Sequence, residues 1–119
     1  MEIQKILREL TTEEKASLVA GVNFMCTYPV PRLGIPSMRT SDGPHGLRVP
    51  PEGGDNGVAG SSPSTSFPTA ATTACGWNPD NLLKMGKAIA KEAHKYGVHV
   101  VLGPGANIKR NPLAGRNFE

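Results

Sequence analysis

Aromatic residues make up only 5% of this chain, and cysteine occurs just twice, as Cys26 and Cys75. Two thiols so far apart frame neither a disulfide scaffold nor a zinc site, so both are read as structural. No apolar run approaches the ~18 residues that cross a bilayer. The opening MEIQKILREL also lacks the apolar core of a signal peptide, and a cytoplasmic location is expected. Charge is thinly spread: 13 basic against 10 acidic residues give +3, and no five basic residues run together. That scatter is a solubility pattern and not a nucleic-acid stripe, so neither a nucleic-acid nor a membrane partner is expected.

Whole chemistries are missing as well. No serine stands in a nucleophile elbow, and no cysteine has an evident base beside it. GPGAN (residues 103–107) lacks the spaced glycines and the Lys-Ser/Thr of a phosphate loop. His45, His94 and His99 form neither a metal set nor a triad; His94 and His99 are read as structural and His45 is given no role. Glu2, Glu9, Glu13, Glu14, Asp80 and Glu92 fall on expected helix surfaces or caps, which leaves no acid/base pair. The reading is therefore of no cofactor, no metal and no catalytic residue within the chain.

What the chain does have is glycine and proline, 14 and 11 of its 119 residues. They concentrate in residues 29–63 and 103–115, between patterned segments, so they mark connections and not disorder. Residues 2–21 read as two short helices or one broken one. In the second piece Thr11 and Glu14 make a capping box, Leu18 and Val19 form an apolar side, and Gly21 is the stop. YPVPRLGIP (28–36) is extended, because each proline pushes its predecessor out of the helical region. A strand over 37–42 and a long loop over 49–66 follow. Asn78 as N-cap and Pro79 at the first position open a helix over 78–96. Its stripe of Leu82, Met85, Ile89, Ala93 and Tyr96 lies opposite or beside Lys84, Lys87, Lys91 and Lys95, and Gly97 ends it. Trp77, just before the cap, is read as half of a hydrophobic staple or as a sugar-stacking ring. VHVVL (98–102) is a buried parallel strand by composition.

Strand, loop, helix, strand is one βα unit and the strand of the next. Two strands and one good helix cannot cover both faces of a parallel sheet, so the pattern asks for more sequence after Glu119. The unusual residues fall in SDGPHGLR and NIKRNPLAGRNFE, each directly after a strand, where parallel α/β folds bind ligands. Asp42 held by a turn accepts hydrogen bonds from neighbouring hydroxyls, and arginine offers a fork of five donors. Together they suit a sugar ring. Asp42 before Gly-Pro also reads as a plain turn former, and Arg110 and Arg116 as anchors of their own loop, to carbonyls or to Glu119.

LTTEEKASLVAG, VPRLGIPSMRTSDGPHGLR, SFPTAATTACGWNPDNLL and GVHVVLGPGANIKRNPLAGRNFE, in that order, resemble the opening of a family 3 glycoside hydrolase of the bacterial β-glucosidase type. The resemblance covers essentially the whole chain. It implies an α/β fold: the first βα units of a (β/α)8 TIM-like barrel, with residues 1–119 an incomplete segment that needs further sequence or a second chain to close. It implies hydrolysis of terminal β-D-glucosyl residues with retention, through a covalent glycosyl-enzyme intermediate. The nucleophilic aspartate and the acid/base glutamate are then expected outside this chain, as is the family's Lys-His pair. Asp42, Arg48 and Arg116 match the family's glycosyl-binding residues. The implied partners are a β-glucoside or oligosaccharide substrate and the remainder of the same enzyme; the alternative is a non-catalytic sugar-binding or scaffold fragment derived from that barrel.

Overall fold

The computed structural model describes residues 3–51 and 60–118. Residues 52–59 of the expected 49–66 loop, together with Glu2 and Glu119, lie outside the described residues. The chain divides into two compact units, Met1–Thr40 and Ser41–Glu119.

The first unit begins with helices α1 (Ile3–Glu9) and α2 (Thr12–Ala20), the broken pair expected from the sequence. The break is the cap of α2. Thr11 Oγ1 accepts from the Glu14 N–H at 3.2 Å, and the Thr11 N–H donates back to the Glu14 carboxylate at 2.9 Å. Gly21 at φ 77 closes α2, a left-handed value that favours glycine. The apolar side expected of α2 forms only in part: none of its residues is buried, and Val19 is 88% exposed. Leu18 and Val19 are neighbours and so lie ~100° apart around the helix; one turns inward and the other faces out.

After α2 the chain runs out and back through antiparallel bridges at Cys26–Arg39 and Val30–Ile35. A 3-10 turn at Pro31–Leu33 and Gly34 at φ 67 reverse its direction. Arg32 on that turn donates through Nε to Glu14 Oε1 at 2.7 Å, and its Nη2 bonds both Glu14 Oε2 and the Glu9 carbonyl. One guanidinium thereby ties the turn to the ends of both helices.

The second unit holds the βα pattern. Strand β1 (Thr40–Ser41) pairs with β2 (Val100–Val101), and the Leu102 N–H donates to Ser41 O at 2.9 Å. Both strands are shorter than the 37–42 and 98–102 expected. Arg39 is already bridged to Cys26 and Asp42 to Arg48, so flanking residues spend their backbone groups elsewhere. Between the strands lie α3 (Ala70–Cys75) and α4 (Pro79–Lys95). Helix α3 has no counterpart among the elements expected from the sequence, because its threonines are weak helix formers. Thr73 Oγ1 bonds back to Thr69 O and Ala70 O at 3.2 and 3.1 Å, and Thr72 Oγ1 lies 3.3 Å from Thr69 Oγ1, so the threonine hydroxyls find partners within the helix's own turns. The cysteines are free, Cys26 half-buried and Cys75 exposed.

Helix α4 starts as its sequence dictates, with Asn78 Oδ1 accepting from the Asp80 N–H at 3.0 Å and Pro79 at the first position. Gly97 at φ 64 follows its C-cap Tyr96. Of the expected stripe, Ile89 and Ala93 are buried with Leu47, Val49 and Val98, while Met85 and Tyr96 pack at the margin. Burying a side chain of this size stabilises by ~1.5–3 kcal/mol. Leu82, at the helix start, stays 46% exposed. No staple forms there: Trp77 is 93% exposed at φ 48, so the ring points away from Leu82's turn. Among the described residues no helix is long and apolar enough to cross a membrane.

Candidate functional site

The two segments that follow β1 and β2 build one concavity of about 580 Å³ within the second unit. Asp42, Pro44, His45 and Arg48 line it from the first segment, and Gly103, Pro104, Arg116 and Phe118 from the second. Asp42, Arg48 and Arg116 therefore come together. Arg110 does not line this cavity, and His94 and His99 are exposed elsewhere.

Asp42 and Arg48 are joined as an antiparallel bridge, with the Arg48 N–H donating to Asp42 O at 3.1 Å. Residues opposite one another in such a pair project to the same face, which carries both side chains to one wall. The turn between them is tight. A Cβ on Gly43, at φ 111, would lie 1.7 Å from Gly46 O, and one on Gly46 would lie 2.8 Å from Thr65 O. Only glycine fits at either place. The turn closes by backbone bonds, Arg48 to Asp42 and Gly46 to Gly43 at 3.4 Å, neither of which uses the Asp42 carboxylate. Turn formation by that side chain is thus not what the geometry shows.

The opposite wall is set by close approach. A Cβ on Gly103 would come within 2.9 Å of Pro44 Cα, so the backbone after β2 lies directly against the first turn. The Gly103–Pro104 peptide is cis. Arg116 is placed by a self-supporting loop in which Asn111 is the hub. Asn111 Oδ1 accepts from the Leu113 N–H at 2.9 Å, and Asn111 O accepts from Ala114 N–H at 3.1 Å and Asn117 Nδ2 at 2.8 Å. Lys109 Nζ adds a bond to Arg116 O at 3.4 Å.

The far end of the first segment is also anchored. The Glu92 carboxylate on α4 accepts from the Thr65 N–H at 3.1 and 3.2 Å and from Thr65 Oγ1. These bonds hold the Glu92 carboxyl below its ordinary range, Thr65's hydroxyl contributing most. Tyr96 OH donates to Pro63 O, and Ser64 Oγ donates to Leu47 O at 2.7 Å. The return of the long loop is thereby fastened to α4 and to Leu47 of the core, next to Gly46.

Chemically the cavity offers an acceptor carboxylate and two guanidinium donors at its rim, a set suited to hydroxyl groups that must both give and take. Among the described residues no group of three His, Cys, Asp or Glu could hold a metal. The sequence left His45 without a role, although it lines the cavity; its place between two obligatory glycines was the available signal.

These features define a βα segment whose post-strand loops share one hollow lined by both polar and apolar groups. Residues 10–119 match the glycosyl hydrolase family 3 N terminal domain, and the chain belongs to that family. It is 48% identical to thermostable beta-glucosidase B of Acetivibrio thermocellus over all of this chain and 16% of that protein. It is 47% identical to an exo-alpha-(1->6)-L-arabinopyranosidase of Bifidobacterium longum, over 95% of this chain and 15% of that one. Among solved structures, beta-glucosidase 3B from Thermotoga neapolitana in complex with alpha-D-glucose superposes with a TM-score of 0.83 at 40% identity, covering all of this chain and 18% of that one. The beta-glucosidase from Kluyveromyces marxianus in complex with glucose gives 0.86 at 38% identity, over 98% of this chain and 13% of its own. The chain thus spans about one-sixth of the curated relatives named.

Proposed function

We propose that this segment is the opening of the catalytic barrel of a retaining β-glucosidase, and that Asp42, Arg48 and Arg116 form one wall of its glycosyl-binding subsite. The observation that carries the reading is their convergence on one cavity from two separate loops. Asp42 accepts from sugar hydroxyls, and the arginines donate to the same ring. Retaining hydrolysis needs two carboxyl groups ~5–5.5 Å apart around the scissile bond. In this proposal both come from polypeptide beyond the segment, in keeping with the one-sixth share of its relatives. The (β/α)8 closure comes from that polypeptide too.

Gripping at Asp42 matters to rate as well as to affinity. Binding energy from hydroxyls remote from the bond being broken favours the distorted, oxocarbenium-like ring. The test is hydrolysis by the full-length enzyme of p-nitrophenyl β-D-glucopyranoside beside the α-L-arabinopyranoside, with the anomer of the first-formed sugar read by NMR. Release of β-glucose as the first product supports the reading. First-formed α-glucose overturns retention, and exclusive arabinopyranoside cleavage overturns the glucosidase assignment.

A further inference from the structure

His45 lines this cavity beside the wall of Asp42, Arg48 and Arg116 without belonging to it. It stands mid-turn between Gly43 and Gly46, and its carbonyl accepts from the Phe67 N–H at 2.7 Å. The backbone that carries the ring is therefore held on both sides and from behind. The ring itself does nothing for the turn, whose closing bonds are all between backbone groups. Nδ1 is buried and has no hydrogen-bond partner among the described residues.

A buried polar nitrogen without a partner costs ~1–3 kcal/mol, and such exceptions need a reason. There are two ways to bury Nδ1: as a bare lone pair or as an N–H. Orphaned N–H groups are the rarer and costlier kind. The proton then belongs on Nε2, the nitrogen on the side of the ring away from the buried one. A ring that lines the cavity with Nδ1 turned into the protein presents that Nε2–H to whatever the cavity holds. Asp42 brings acceptors only, and the arginines stand at the exposed rim. His45 supplies a donor on a short, rigid ring fixed by the turn.

We propose that His45 is a specificity-determining residue of this site, donating from Nε2 to one hydroxyl of the bound glycosyl unit. The inference rests on the reading of the cavity as a glycosyl subsite. It adds a contact that discriminates between sugars by the presence of a single hydroxyl, since a site built to pair a hydroxyl rejects the analogue that lacks it.

The test compares the full-length wild-type enzyme with His45→Phe and His45→Gln, on p-nitrophenyl β-D-glucopyranoside and its monodeoxy analogues. Phenylalanine keeps the ring and removes the donor; glutamine places an amide N–H at a similar reach. His45→Phe is expected to lower kcat/KM about five- to tenfold on the parent glycoside, and His45→Gln to recover most of it. On one deoxy analogue the wild type and His45→Phe are expected to become equal, which identifies the hydroxyl. Equal kcat/KM for wild type and His45→Phe on the parent overturns the proposal, as does the same deficit on every analogue, the mark of a merely structural role. The wild type gives a separate readout through the ¹⁵N shifts of its histidine rings: an Nδ1–H tautomer at His45 overturns the proposal even if neither variant folds. A wild-type enzyme that cleaves no glycoside at all overturns the glycosidase reading first, and is told apart by that control.

Discussion

Asp42 and Arg48 meet across a turn of five residues, with the Arg48 N–H on Asp42 O at 3.1 Å and both side chains on one cavity. The pairing is made by the backbone, so the carboxylate and the guanidinium are presented together without depending on each other's side chains for their position.

Asp42→Ala should therefore leave the turn standing and take its carboxylate out of the proposed subsite. In the full-length enzyme the variant is expected to lose about 3 kcal/mol of transition-state stabilisation, on the order of a hundredfold in kcat/KM. Steady-state hydrolysis with an unchanged melting temperature is the measurement. Near-normal turnover would remove Asp42 from the site.

The glycines of the turn should behave in the opposite way. A Cβ at Gly43 meets Gly46 O at 1.7 Å on a left-handed backbone. Gly43→Ala is expected to destabilise the fold by about 2–3 kcal/mol, combining strain with a main-chain clash. Gly60→Ala, where a Cβ meets nothing within 4 Å, is the control. Thermal unfolding of the two variants side by side decides it.

Core packing in the second unit rests on few residues. Leu47 is 2% exposed and lies with Val49, Ile89, Ala93 and Val98. Leu47→Ala should cost about 2–5 kcal/mol through lost burial and the cavity left behind. Its backbone carbonyl holds Ser64 Oγ, so the loop return should also loosen, seen as faster amide exchange at residues 62–66.

In the first unit the Glu14 carboxyl is drawn down to about 2, first by hydrogen bonding to Arg32 and then by the Thr11 backbone. Its pKa in the folded state lies below the ordinary 4.5, so the unfolded chain takes up the proton first as pH falls. The stabilising contribution is complete above about pH 4.5 and disappears as pH drops through about 2. The pair faces solvent, so the effect is small and weakened by salt. Glu14→Gln is expected to flatten the melting temperature against pH between 4.5 and 2, measured at low ionic strength.

Much of this was written locally. The Thr11–Glu14 box, the Asn78-Pro79 start and the Gly97 stop are decided by a handful of adjacent residues, and the structure follows each of them. The stripe on α4 announced Ile89 and Ala93 as core, because helical period and burial are the same information. Features that depend on distant partners were less legible. Helix α3 contradicts its threonine content, β1 shrinks because its flanks bridge elsewhere, and Trp77 turns out to solvent instead of stapling α4.

The site divides along the same line. Asp42 and Arg116 stand out as residue types placed after strands, Arg48 is added only by the family resemblance, and the family resembled is the one to which the chain belongs. Sequence alone determined the caps, the helical face and the polar groups that the two post-strand loops carry, since each depends on neighbours within a turn or two. Tertiary structure alone decided that the 42–48 turn lies against Gly103, that Arg116 joins it while Arg110 does not, and that His45 buries Nδ1. Those outcomes depend on which backbones can approach closely in space, a property that spacing along the chain does not contain.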